Sequence, residues 1–241
     1  SSIPHTDVGA ARFEFGGRGF VYSVSGSHVL RTVRRDEFDA WLAGYAREKG
    51  IAVSEGTTVR KITQGPEGVI VSTDQGDQTA RVVVGADGSN SIVRRCLFPN
   101  SLARTSRAIE VITPQDDRSI HMPSEAYFDF SPQSSGIGGY IWDFPTQIEG
   151  KPMRCWGIFD STIRKDKNSP SLKKTLAGEM ARQGLSLDDY KLEGHPIRWY
   201  HPSARISSPR IILAGDAAGT DYLLGEGVSM ALAYGRTAAQ A

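Results

Sequence analysis

RIILAGDAAGTDYLLGEGVSMAL, residues 210–232, is the stretch on which the reading of this chain turns. An apolar run from Arg210 to Leu213 meets a Gly-Asp turn at Gly215-Asp216, a loop follows, and a helix of small residues is expected from about Gly225. Strand, tight turn and helix in that order mark an α/β domain, whose ligands sit beyond the carboxyl ends of the strands. Asp216 stands at such an end, where a carboxylate suits a ribose or sugar-alcohol hydroxyl. The helix start at Gly225-Glu226-Gly227 would aim unpaired backbone N–H groups and a partial positive charge at whatever lies before it. Glu226 has two readings: a first-turn acid matched to the helix dipole, or a residue with a role of its own. Gly227, Ser229, Ala231, Ala233 and Gly235 are small enough for another backbone or a flat ligand to come close.

A second segment of the same kind lies about 130 residues earlier: RVVVGADGSNSIVRR, residues 81–95. An apolar strand runs into Gly85-Ala86-Asp87-Gly88, and either Ser89 or Ser91 can cap the helix expected to follow. Asp87 can accept hydrogen bonds from hydroxyls or buried amides, and the glycines let the backbone turn tightly against a bulky ligand. Alone, the segment also reads as an ordinary strand-to-helix turn.

Working outward, residues 35–49 place Phe38, Trp41, Leu42, Tyr45 and Ala46 at helical spacing, with Gly50 as the stop. Ile51 to Val53 is expected as a return strand of a parallel sheet. Thr57 to Ile62, Val69 to Thr73 and Ala80 to Val84 read as an antiparallel meander broken by turn residues. From about residue 101 to 205 the character changes to aromatics, prolines and short alternating strands at Tyr127 to Phe130, Gly139 to Phe144, Arg154 to Phe159 and Pro196 to Tyr200. A helix is expected at about Ser171 to Gln183, with Leu172, Leu176 and Met180 on one side. Tyr140, Trp142 and Phe144 share one strand face, either packed on a helix or lining a substrate cavity. The division expected is 1–100 with 206–241 as one domain and 101–205 as an inserted antiparallel or mixed-sheet domain, an α/β (α+β mixed) fold.

The bulk numbers exclude other classes. Lys and Arg total 28 against 27 Asp and Glu, so no excess charge points to nucleic acid or an anionic membrane surface. No apolar run approaches the roughly 18 residues of a transmembrane helix, and no secretory signal pattern opens the chain; a cytoplasmic protein is expected. Cys96 and Cys155 have no CxxC or His-interleaved spacing, so no metal site is read, and both are expected as buried packing residues.

The two turn segments together, in this order, resemble the paired downstream motifs of the FAD-dependent superfamily of aromatic hydroxylases, flavin-dependent halogenases and geranylgeranyl reductases. Arg35-Asp36-Glu37-Phe38-Asp39 is similar to that family's Arg-x-x-Phe-Asp helix start. GDAAG followed by GEG, with GGYIWDFP at 138–145, looks closest to geranylgeranyl reductase-like members. The resemblance implies a partial FAD-binding α/β domain with a substrate domain laid over the isoalloxazine. It would set Arg35 against the flavin's ribityl and phosphate portion, Asp87 and Gly88 near the pyrophosphate and ribityl, and Asp216, after Gly215, on a ribityl hydroxyl. Gly225, Glu226 and Gly227 would sit by the pyrimidine ring.

Two departures stand out. Tyr222 occupies a loop position where many relatives carry Pro, and no GxGxxG occurs, although the family would place one about 70 residues or more before Arg35. Gly16-Gly17-Arg18-Gly19 reads as a hairpin turn and does not substitute. The chain is therefore read as a truncated part of a longer protein, with FAD binding in doubt for the chain as given.

The leading expectation is an FAD-dependent oxidoreductase acting on a hydrophobic or aromatic small molecule, geranylgeranyl reductase-like, with NAD(P)H as electron donor. The alternatives are an FAD-dependent monooxygenase or halogenase of an aromatic substrate, and a flavin-free binding module or inactive fragment. Tyr140, Trp142, Trp156, Trp199 and Tyr222 are candidates for a substrate wall. No general acid or base is assigned.

Overall fold

The computed structural model describes residues 3–101, 104–115, 121–163, 170–222, 224–225 and 227–241. In chain order the strands and helices are β1 (Thr6–Val8), β2 (Ala10–Phe15), β3 (Arg18–Ser23), β4 (Leu30–Thr32), α1 (Arg35–Glu48), β5 (Val59–Gln64), β6 (Val69–Thr73), β7 (Gly76–Ala80), β8 (Val83–Gly85) and α2 (Ile92–Leu97). They continue with β9 (Thr105–Pro114), β10 (Glu125–Asp129), β11 (Gly139–Ile148), β12 (Lys151–Asp160), α3 (Leu172–Arg182), β13 (Glu193–Arg198), β14 (Ser207–Ser208), β15 (Ile211–Leu213) and α4 (Val228–Gln240). This is the mixed α/β architecture expected. Among the described residues no helix is long and apolar enough to cross a membrane.

The chain forms two compact units, Ser1–Val53 with Ala108–His195 and Ser54–Arg107 with Pro196–Ala241. This partition differs from the one read from composition chiefly at residues 1–53. They join the long sheet because β2 pairs in parallel with β10 from Ala10↔Glu125 to Glu14↔Asp129.

The first unit is built on a seven-stranded sheet of order β13-β9-β12-β11-β10-β2-β3. Its β2–β3 hairpin turns on Gly16 and Gly17, at φ 59° and 75°, the left-handed pair a two-residue hairpin needs. β3 forms the rim of the sheet, with every residue exposed, Phe20 at 65% and Tyr22 at 53%. The long β11–β12 pair runs in register from Gly139↔Asp160 to Ile148↔Lys151. Strand parity then sorts its side chains. Ile141, Trp156 and Ile158 turn to one face and pack with Leu176 and Met180 of α3 and with Val111 and Ile137. Tyr140, Trp142 and Phe144 turn to the other. α3 starts where Ser171 accepts from Lys174 N at 3.1 Å.

A buried ionic cluster crosses the same unit. Arg154 donates through Nε to Asp143 Oδ1 at 2.8 Å and through its other nitrogens to the carbonyls of Met122, Pro123, Glu125 and Asp143. His121 Nδ1 lies 2.7 Å from Asp143 Oδ2, and its ring stacks on Tyr127 at 4.0 Å. The guanidinium thus neutralises a fully buried carboxylate and ties down the backbone at 122–125.

In the second unit the antiparallel sheet β5-β6-β7 is the expected meander, and a separate sheet has the order β14-β15-β8. Ile62 and Val69 of the first pack with Val93, Ile211, Leu213, Ala217 and Ala218 in one core. The run read as one strand, Ala80 to Val84, is divided between these two sheets, Ala80 closing β7 and Val83 opening β8.

Two other expectations are corrected. Ile51 to Val53 is not a strand: Ile51 N donates to Ala46 O at 3.0 Å, so the residues after α1 close that helix and find no strand partner. Cys96 is exposed, on a short helix that buries Val93 and Arg94 instead. Cys155 is partly buried, and its thiol pKa is pushed well above the ordinary range by desolvation and then by Glu110.

Replacing Arg154 by Met removes the guanidinium that pairs with buried Asp143 and holds the carbonyls at 122–125. The expected loss is about 3–5 kcal/mol of unfolding free energy, read by urea denaturation followed by circular dichroism.

Candidate functional site

In the second unit β8 and β15 lie side by side in parallel, pairing Ile211↔Val83, Ile212↔Val84 and Leu213↔Gly85. Two turns distant in sequence therefore leave the sheet at the same end, Gly85 to Ser89 and Ala214 to Ala217, and Ala214 N donates to Gly85 O at 2.9 Å. The close fit requires Gly85, where a Cβ would stand 2.8 Å from Val93 and 3.0 Å from Leu213.

Asp87 is used within its own turn. Its carboxylate accepts from Ser91 Oγ at 2.5 Å, from Ile92 N at 2.6 Å and from Val93 N at 3.2 Å, so it caps α2 together with Ser91, which accepts from Arg94 N. Asp216 is partly exposed and accepts from Thr220 Oγ1. Ser89 Oγ lies 3.4 Å from the Asp216 carboxylate but donates its proton to Pro196 O at 2.6 Å, so it brings the two turns close and leaves the acid open on that side. Buried Arg94 staples the two turns from beneath, donating to Ser89 O at 2.7 Å and Ala217 O at 3.0 Å. Desolvation pulls its pKa below the ordinary guanidinium value, and Asp87 opposes that shift.

α4 begins at Val228, three residues later than expected, with Gly227 as an N-cap that supplies no side-chain hydrogen bond. A Cβ at Gly227 would stand 3.4 Å from Thr220 Oγ1 and 3.5 Å from Asp216 Oδ1. The start of α4, an electropositive feature, therefore lies beside the Asp216 carboxylate. A Cβ at Gly215 would stand 3.5 Å from the Ala231 methyl group, so α4 passes close to the Asp216 turn there. Glu226 lies outside the described residues.

The segment joining Asp216 to α4 is fixed by residues the sequence reading missed. Asp221, 1% exposed, accepts from Ser106 Oγ and from Gly225 N, the latter at 3.0 Å, and Ser106 in turn accepts from Trp199 Nε1 at 2.7 Å. Thr220 N and Asp221 N donate to Arg198 O, each at 3.1 Å, and Tyr200 N donates to Asp221 O at 2.8 Å. Gly219 leaves no room for a side chain, since a Cβ would stand 2.3 Å from Trp199 O. Ser106 belongs to no motif, and Asp221, although inside the 210–232 stretch, takes its role from a partner 115 residues away, so spacing gave no signal for the pair.

The remaining predicted residues divide between the units. In the second, Trp199 is committed to Ser106 and lies under the Arg104 guanidinium, and Tyr222 stacks on Tyr200 at 4.5 Å with 55% exposure. In the first, Arg35 is exposed at the start of α1 and pairs with Asp39 at 3.1 Å. Tyr140 and Trp142 join Phe128, Phe144 and Phe159 in an aromatic strip on the sheet face opposite α3. The Trp142 ring lies over Gly157, where a Cβ would come within 2.1 Å of it. Trp156 does not join them: one residue out of phase, it packs under α3. Glu110, Glu193 and His195 bring ligand-capable atoms within 4.8 Å of one another, a group assembled across strands and so invisible to spacing rules, and the Lys191 ammonium holds Glu193 at 2.6 Å.

Residues 21–221 match the family described as FAD binding domain. The chain is 29% identical over 238 residues to a digeranylgeranylglycerophospholipid reductase of Thermoplasma volcanium, covering 90% of this chain and 55% of that protein. It is 29% identical over 222 residues to a geranylgeranyl diphosphate reductase of Rhodobacter capsulatus, covering 87% of this chain and 53% of that one. The chain thus spans about half the length of these curated relatives. Among solved structures, a geranylgeranyl bacteriochlorophyll reductase-like protein of Thermoplasma acidophilum superposes with a TM-score of 0.79 at 25% identity, covering 97% of this chain and 61% of that one.

Arg94→Lys removes the forked donor that spans both turns, since one ammonium cannot reproduce the two-carbonyl geometry. A loss of about 1.5–3 kcal/mol is expected in chemical denaturation, with the larger share in the second unit's hydrogen-exchange protection.

Proposed function

Because the chain belongs to the FAD binding domain family, we propose that the protein is an FAD-dependent oxidoreductase that reduces a hydrophobic, polyprenyl-type small molecule. The observation that carries this reading is the juxtaposition of the half-open Asp216 carboxylate with the start of α4. A carboxylate that accepts hydroxyl donors suits a ribityl chain, and the positive end of a helix suits a ring that gains negative charge on reduction. The residues present therefore fit FAD.

In this reading Asp216 holds a ribityl hydroxyl, the backbone at Gly227 and the first turn of α4 face the pyrimidine edge, and Gly88, Gly215 and Gly225 keep the backbone low enough to approach. Asp87 contributes by fixing α2 and its turn, and Arg35 would exchange Asp39 for the cofactor's chain. FAD, when bound, supplies the two-electron chemistry. The aromatic strip of Tyr140, Trp142 and Phe144 offers the apolar wall for the substrate and excludes water from it. NAD(P)H is the proposed electron donor.

The full-length protein is expected to purify with flavin absorption bands, and Asp216→Ala to weaken FAD binding about tenfold or more. Under strict exclusion of oxygen, the reduced protein should be reoxidised by a polyprenyl substrate. A requirement for oxygen in that turnover would favour the monooxygenase or halogenase reading, and a colourless protein that FAD does not reconstitute would favour a binding module.

A further inference from the structure

The approach from Asp216 to α4 is governed by an oriented chain of hydrogen bonds. Trp199 Nε1 can only donate, so Ser106 Oγ accepts from it at 2.7 Å and commits its own proton to Asp221 Oδ2. The other carboxylate oxygen, Oδ1, accepts from Gly225 N at 3.0 Å, four residues along the chain. Ser106 and Asp221 are 0% and 1% exposed, so both ends of the link are shielded from competing water. Upstream, residues 219–221 are held by backbone bonds to Arg198 and Tyr200. Downstream, Gly225 takes φ 76° and the chain enters α4 two residues later through Gly227. Tyr222 stacks on Tyr200 at 4.5 Å and helps anchor the start of the loop. The Asp221 carboxylate holds the far end at Gly225 N.

We propose that Asp221 is a positioning residue for the flavin: through Gly225 it sets where the N-terminus of α4 stands relative to Asp216, and so sets FAD affinity and the ease of flavin reduction. The inference rests on the flavin reading of this site. A helix start acts on a charge only within its first turn and weakens steeply with misplacement, so loosening the loop should cost the reduced state more than the oxidised one. Ser106 acts in the same direction by orienting Asp221, and Trp199 by orienting Ser106.

The test uses the full-length protein with Asp221→Ala, Asp221→Asn and Ser106→Ala, measuring the FAD dissociation constant and the flavin midpoint potential, with folding checked by circular dichroism. Asp221→Ala is expected to weaken FAD about tenfold and to lower the potential. Ser106→Ala should do both to a smaller degree. Asp221→Asn keeps an oxygen acceptor for Gly225 N but turns an NH2 to Ser106, and is expected to fall clearly between the wild type and Asp221→Ala in affinity and potential. Wild-type affinity and potential in Asp221→Ala would overturn the proposal, as would an Asn variant as impaired as Ala, since the charge rather than the position would then matter. If Asp221→Ala does not fold, Ser106→Ala and Asp221→Asn decide by the same two readouts, and unchanged values in Ser106→Ala overturn the proposal. A wild-type protein that takes up no FAD sinks the flavin reading itself and this inference with it, whereas a flavin-loaded wild type with an indifferent Asp221 removes this inference alone.

Discussion

Three residue pairs between β8 and β15 are the constraint on which the second unit depends. They are parallel, so no tight turn could join them, and the chain between them runs from Gly85 to Ile211. Once they pair, both following turns must emerge together, and a carboxylate, a serine hydroxyl and a helix start are brought into one small region without any of them being neighbours in sequence. Arg94 secures the result by bonding to carbonyls of both turns. A buried guanidinium is costly to desolvate, and its use here shows how much depends on holding the two turns at one spacing.

The two acids first picked out in sequence have different duties. Asp87 spends its hydrogen-bonding capacity on α2 and its cap, while Asp216 keeps part of its surface open and accepts from the Thr220 hydroxyl. Their shared residue type concealed this, because the difference lies in whether a helix begins at once, as after Asp87, or only after a long loop, as after Asp216. The first unit has a parallel division: Asp143 is neutralised and enclosed by Arg154 beneath the sheet, whereas the other face is given over to rings.

Much of the fold was legible where a local rule dominates. Helix periodicity with a glycine stop located α1 and α3, two adjacent glycines located the β2–β3 hairpin, and the strand-turn motifs located β8 and β15. What failed depended on partners. Ile51 to Val53 is apolar enough for a strand yet bonds back to α1, and Trp156 was grouped with Tyr140 and Trp142 although strand parity sends it to α3. The Ser106–Asp221 link and the Arg154 cluster lay beyond reach for a different reason: each joins residues that look ordinary alone and become informative only once burial removes water as an alternative partner.

β3 has a consequence for handling the molecule. Its outer backbone edge has no strand partner among the described residues, and it carries Phe20, Val21 and Tyr22 with Arg18 as the one charge on the strand itself. Such a rim is adhesive, since any extended segment can complete its ladder. At high concentration residues 18–23 are where association and loss of solubility should begin, and one lysine in place of Val21 would make the rim self-repelling.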